Sequence, residues 1–205
     1  MSETELDLLP GQVDRIDFNM EQAECLASVA RSEVFWSVSI LRPSSIAEIA
    51  SGLDRPANST TYHVNELVRV GLLMQAGERM SKTRREKLYV KAARSFFHRG
   101  SDAPREYRDL YVQSFLNLTR SMGRETETVN DLVEYEPDMA DFRILRRYNF
   151  RISRERSLEL KRRISEAIRE FALEEDPDGV RISTVFYLSP TLAESRTRLK
   201  KQKLR

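Results

Sequence analysis

Cysteine occurs once in the 205 residues and histidine only twice. Cys25 alone excludes an internal disulfide framework and a multi-thiolate zinc site. With His63 and His98 it makes a donor supply too small for a sensor that needs paired cysteines or clustered histidine and carboxylate ligands, so no metal and no other cofactor is expected. Lying in an apolar helical stretch, Cys25 reads as a small buried hydrophobe, and its isolation suits a reducing cytoplasm. Long apolar runs are also missing. The longest is a few residues, against the roughly 20 that a bilayer requires, and Met1 to Glu21 is acidic, so neither a membrane partner nor an export signal is expected. Only seven glycines and seven prolines interrupt the chain, which favours helices joined by short connections over a loop-rich sandwich. There is no glycine-rich phosphate loop, no nucleophile elbow, and no histidine beside a conspicuous serine or cysteine. An enzyme is therefore not expected.

What the chain does have is charge, at 32%, and that charge is unevenly placed although the net value is only +2. From Met1 to Asp54 ten acids face three bases, a net of −7 that would repel phosphate. From Arg55 to Arg99 ten bases face three acids, a net of +7 that would attract a polyanion. Thr191 to Arg205 is basic again, with six Lys and Arg against Glu194, as a solvated tail would also be.

Periodicity then orders the chain. Residues 1–19 carry no sustained period and contain Pro10-Gly11, so they are expected to form an arm. Ala23, Leu26, Ala27, Ala30, Val34, Phe35 and Val38 recur at three and four, predicting one helix from Met20 to Leu41 with Trp36 at its edge. Ser45-Ile46-Ala47-Glu48 has the capping-box form and opens a short helix to Gly52. Pro56 suits the first turn of a third helix, which runs to about Val70. Gly71 ends it, and Leu72 to Arg79 and Lys87 to Ala92 read as extended segments around a basic tip. The order is helix, helix, helix, hairpin, predicted as one domain over residues 20–99. Beyond it, Tyr107, Leu110, Tyr111, Ser114, Phe115, Leu118 and Met122 share one helical face, and Gly123 to Asp141 reads as a loop. Phe142, Ile144, Tyr148, Phe150 and Ile152 alternate as a strand would. Ser153 caps a helix with the stripe Leu160, Ile164, Ala167, Ile168 and Phe171. Asp176 to Gly179 reads as a turn and Arg181 to Leu188 as a second strand. The expected class is α+β and mostly helical, with a β-α-β region over residues 100–190 that serves dimerisation or an effector, and a basic tail over 191–205.

The stretch from Ser45 to Leu73 pairs two short helices across a turn, the pattern of a helix-turn-helix. On the third helix Thr60, Val64, Leu67 and Val68 cluster on one side. Asn58, Ser59, Tyr62, Asn65 and Arg69 then occupy the other, where short polar groups can bond phosphate or base edges. Glu66 dissents in charge. The sequence here resembles the winged helix-turn-helix of the arsenic-repressor-like (ArsR-like) superfamily of transcription regulators. The resemblance rests on Ile46-Ala47-Glu48-Ile49-Ala50, Ser59-Thr60-Thr61-Tyr62-His63-Val64, Leu67, Val70-Gly71-Leu72-Leu73 and the segment Lys82 to Tyr89, and it spans about Met20 to Phe97. It implies a third helix in the major groove and a wing on the backbone or minor groove. It makes Asn58, Ser59, Thr61, Tyr62 and His63 recognition positions and Lys82, Arg84 and Arg85 wing contacts, with Lys87 beside them and Ser45 at the head of the second helix. The sequence departs from the metal-sensing members in lacking their ligands.

The expected partner is double-stranded DNA. A homodimer is expected as well, because two recognition helices reading successive major grooves multiply affinity and site length. The apolar faces of the carboxy-terminal half can join protomers or simply form an internal core. No residue signature marks a small-molecule effector pocket, and a winged-helix protein–protein module within a larger complex remains the alternative function.

Overall fold

The computed structural model describes residues 8–40, 42–81, 84–99, 102–142, 144, 150–173, 195, 196, 198, 201 and 202. The chain divides into two compact units, Met1–Asp131 and Leu132–Arg205.

In the first unit the elements run β1 (Val13–Asp17), α1 (Met20–Leu26), α2 (Val29–Ser37), β2 (Ser44–Ser45), α3 (Ile46–Gly52), α4 (Ala57–Arg69), β3 (Leu73–Ser81), β4 (Arg84–Lys91), β5 (Ala93–Phe97) and α5 (Arg105–Val133). Asn19 and Gln22 form a capping box at α1. The single helix expected over 20–41 is in fact two, because Ser28 takes an extended conformation as the N-cap of α2. Ser45 and Glu48 form the predicted capping box at α3, with the Ser45 hydroxyl 3.3 Å from the Glu48 amide and Glu48 Oε2 2.7 Å from the Ser45 amide. Gly71 closes α4 at φ +72°, a left-handed conformation that a Cβ would strain.

Strands β3 and β4 pair antiparallel from Leu73↔Lys91 to Ser81↔Arg84, with β2 on the far side of β4. The register shifts between Gln75 and Gly77, where Gly77 at φ +132° accommodates a bulge. Within the expected arm, Val13–Asp17 pairs in parallel with β5, from Val13↔Ala93 to Asp17↔Phe97. Gln12 fastens this strand by donating to the carbonyls of Ile40 and Lys91 at 2.8 and 2.9 Å.

The core gathers Phe18, Leu26, Val34, Phe35, Val38, Ile49, Val64, Leu67, Leu72, Leu73 and Tyr89, and Tyr107 brings the start of α5 into it. Burying each large apolar side chain contributes about 1.5–3 kcal/mol, so these contacts, rather than surface charge, fix the arrangement. Cys25 is buried, and burial pushes its thiol up, which keeps it protonated and unreactive. Lys91 is also buried. Its ammonium lies 5.0 and 5.3 Å from the Phe35 and Trp36 rings, and desolvation lowers it to about 8.

Helix α5 extends well past the predicted Met122, so the first part of the expected loop 123–141 is helical. In the second unit Pro137–Phe142 forms a 3-10 turn. Phe142, expected to open a strand, belongs to that turn, and Ile144, Phe150 and Ile152 have no regular structure; Tyr148 lies outside the described residues. Helix α6 (Arg154–Leu173) starts as predicted, with the Ser153 hydroxyl accepting from the Arg156 amide at 3.2 Å. The turn 176–179 and the strand 181–188 lie outside the described residues. The class is α+β and mostly helical, with a winged helix-turn-helix before a carboxy-terminal helical region.

Candidate nucleic-acid interface

The orientation of α4 follows from its inward face. Thr60, Val64 and Leu67 are buried, and the Thr60 hydroxyl, unwelcome in a core, is satisfied by the Pro56 carbonyl at 3.1 Å. Rotating the helix would expose Val64 and Leu67 at a cost of several times ~1.5 kcal/mol, so the opposite face is held outward. That face exposes Asn58, Ser59, Tyr62, Asn65 and Arg69, with Tyr62 at 57%.

These residues are not equally available. The Ser59 and Thr61 hydroxyls donate to the carbonyls of Pro56 and Ala57 at 3.0 and 2.8 Å, leaving oxygen lone pairs outward, and Thr61 is only half-buried. His63 is half-buried with its Nδ1 enclosed and unpartnered. Burial, then Arg55 and Arg31, lower its proton affinity, so its ring is neutral near pH 7. Arg69 bonds Glu21 at 2.5 Å and Glu66 at 3.3 Å, and both carboxylates raise its pKa. Ser45 is 2% exposed and its hydroxyl serves the α3 cap.

In the wing, Lys82 lies outside the described residues. Arg84 and Arg85 are 76% and 79% exposed, with Glu86 3.6 Å from the first and Glu78 3.8 Å from the second. The Arg85–Glu78 pair is exposed on both sides and contributes about 0–1 kcal/mol, and Glu86 keeps Arg79 as a partner when Arg84 leaves it, so phosphates can replace these carboxylates at little cost. Lys87 is exposed on the same strand. A cavity of about 210 Å³ opens between the head of α3 and the wing strand β4, lined by Ser45, Ile46 and Ala47 on one side and Arg84, Arg85, Glu86, Lys87 and Tyr89 on the other.

Two arginines outside the sequence-based candidates shape this surface. Arg79 bonds Glu48 of α3 at 2.9 Å and Glu86, its cross-strand partner, at 3.3 Å, which ties the wing to the helix-turn-helix. Arg55, directly before the α4 N-cap, bonds the buried Glu33 of α2, which Arg124 of α5 also bonds. Leaving a buried carboxylate with no partner costs about 3–5 kcal/mol, so at least one of the two must stay. Alternation could have flagged Arg79 opposite Glu86, but nothing local links residue 33 to residues 55 and 124.

Among the described residues no group of three or more His, Cys, Asp or Glu could hold a metal ion, and no helix is long and apolar enough to cross a membrane. No curated protein matches the sequence. Among solved structures the chain is similar to RV1404 from Mycobacterium tuberculosis at 18% identity over 62% of this chain and 86% of that one, with a TM-score of 0.29. It is similar to Lactococcus lactis ZitR, solved in complex with DNA, at 12% identity over 82% and 86%, with a TM-score of 0.29. It is similar to the multiple antibiotic-resistance repressor (MarR) from Listeria monocytogenes at 14% identity over 76% and 83%, with a TM-score of 0.26. Residues 26–76, from the end of α1 into β3, match the family model for a helix-turn-helix domain, in agreement with the winged helix-turn-helix built by α2 to β4.

Proposed function

We propose that the protein is a cytoplasmic, homodimeric transcription regulator that lays α4 in the major groove of duplex DNA and its wing on the flanking backbone or minor groove. The observation that carries this reading is the outward face of α4, where Asn58, Ser59, Tyr62 and Asn65 stand exposed on a helix locked by Val64 and Leu67. Arg84, Arg85 and Lys87 add exposed charge to the wing, and each phosphate they meet releases condensed counterions. Thr61 and His63 sit at the edge of the face. Arg69 joins only by exchanging Glu21 and Glu66 for phosphate, Ser45 acts through the α3 cap, and Lys82 completes the wing by its sequence position. Exposed apolar side chains on α5 (Val112, Leu116) and on α6 (Leu158, Phe171) supply material for protomer contact.

The test is a titration of wild type and the Arg84→Ala, Arg85→Ala double variant on random duplex DNA across a salt series. Wild type binds in the micromolar range with strong salt dependence, and the double variant binds all sequences more weakly with a flatter salt slope. Absent or salt-independent binding by wild type would contradict DNA binding and favour the protein–protein module. Sedimentation across a dilution series tests the dimer.

A further inference from the structure

The Glu33 carboxylate is 7% exposed and holds two guanidinium groups, Arg55 on Oε2 and Arg124 on Oε1. One negative charge needs one positive partner, so one arginine is surplus to neutralisation. The two differ in place. Arg124 lies on α5, whereas Arg55 directly precedes Pro56, the N-cap of α4, three residues before Asn58, and its side chain is 31% exposed. A guanidinium fork fits phosphate as well as carboxylate, and Arg55 stands at the helix end where the amides are also unpaired and favour an anion.

Resting on the DNA-binding reading above, we propose that Arg55 is a further phosphate ligand: it turns from Glu33 to the DNA backbone when duplex binds, while Arg124 stays on Glu33 and keeps the buried carboxylate neutralised. Helix α5 thereby acts on the recognition helix. Any change that withdraws Arg124 leaves Arg55 as the sole partner of Glu33, retains it there, and weakens DNA binding with no alteration of the α4 face. Arg55 is the DNA ligand in this exchange, and Glu33 and Arg124 are positioning residues.

The full-length chain is titrated on a fluorescent random-sequence duplex across a salt series, with melting curves for each variant. Arg55→Gln weakens binding roughly threefold to tenfold at low salt and reduces the salt slope by about one. Arg124→Gln gives a similar loss, and Arg124→Lys, which retains the charge, stays near wild type. Adding Glu33→Gln to Arg124→Gln restores affinity, because Arg55 is no longer retained. A purely structural triad predicts the opposite for that double variant, namely further damage. Wild-type affinity and slope in Arg55→Gln, or a double variant no better than Arg124→Gln alone, would overturn the exchange. Salt-sensitive wild-type binding with an unchanged Arg55→Gln overturns this assignment alone, whereas no wild-type binding overturns the function beneath it as well.

Discussion

Tyr62 and Asn58 extend from a helix whose stability comes from its other side, so under the proposed function their removal separates recognition from folding. Tyr62→Ala and Asn58→Ala are expected to change stability by no more than about 0.5 kcal/mol, as surface substitutions do. Selection from a randomised duplex pool should return a different preferred sequence for each variant. His98 is the contrasting case. Its ring lies 4.8 Å from Phe18 and 4.1 Å from Tyr111, its Nδ1 is 3.2 Å from the Tyr107 hydroxyl, and burial lowers it to about 4. Between the ordinary value of 6.5 and about 4 the unfolded chain binds the proton and the folded one does not. Stability therefore falls as pH drops through that window. The full shift, discounted because the ring is partly exposed, amounts to about 1–2 kcal/mol. Melting curves of wild type and His98→Phe at pH 7 and pH 4.5 should differ by that amount in their pH dependence. An equal dependence in both would remove His98 from the explanation.

At the scale of elements, the α3 cap joins sequence, fold and site most closely. Burial works to raise the Glu48 carboxyl, but the Ser45 amide and the Arg79 guanidinium outweigh it and hold the group below the usual carboxylate range. Ser45→Ala is expected to cost about 1 kcal/mol, read from chemical denaturation, while Arg79 keeps the wing attached to α3 through Glu48. This cap was legible because Ser45 and Glu48 act over three residues, and so was the end of α4, because Gly71 is the residue type its backbone angle favours. The outward face of α4 was equally legible from the spacing of Thr60, Val64 and Leu67. The break at Ala27-Ser28 was not, since the apolar period Ala23, Leu26, Ala27, Ala30 and Val34 runs through it without interruption. Strand β1 escaped because its partner β5 lies some 80 residues away and each contributes only five residues. The extension of α5 escaped because a surface helix needs no apolar stripe. There Thr126 and Thr128 donate to the carbonyls of Met122 and Arg124 at 2.8 and 3.0 Å, keeping polar side chains compatible with the helix. Glu33 with Arg55 and Arg124 escaped for the same reason as β1: its partners are distant in sequence and no local pattern pairs them.

For the whole molecule, the near-zero net charge conceals a division that the fold puts to use. The acids of the first 54 residues serve in part as internal partners, with Glu33 on Arg55 and Arg124, Glu21 on Arg69 and Glu48 on Arg79. The bases of residues 55–99 include the exposed wing arginines. On the proposed function, binding to DNA amounts to an exchange of weak carboxylate contacts for phosphate contacts, and its strength should track the ions released. The most direct measurement is fluorescence anisotropy of a random-sequence duplex titrated with wild type and with Arg84→Ala, Arg85→Ala at about 50 and 200 mM salt. The expected result is micromolar wild-type binding that weakens steeply with salt, and a slope reduced by about two in the double variant. Wild-type affinity indifferent to salt, or a double variant with an unchanged slope, would contradict it.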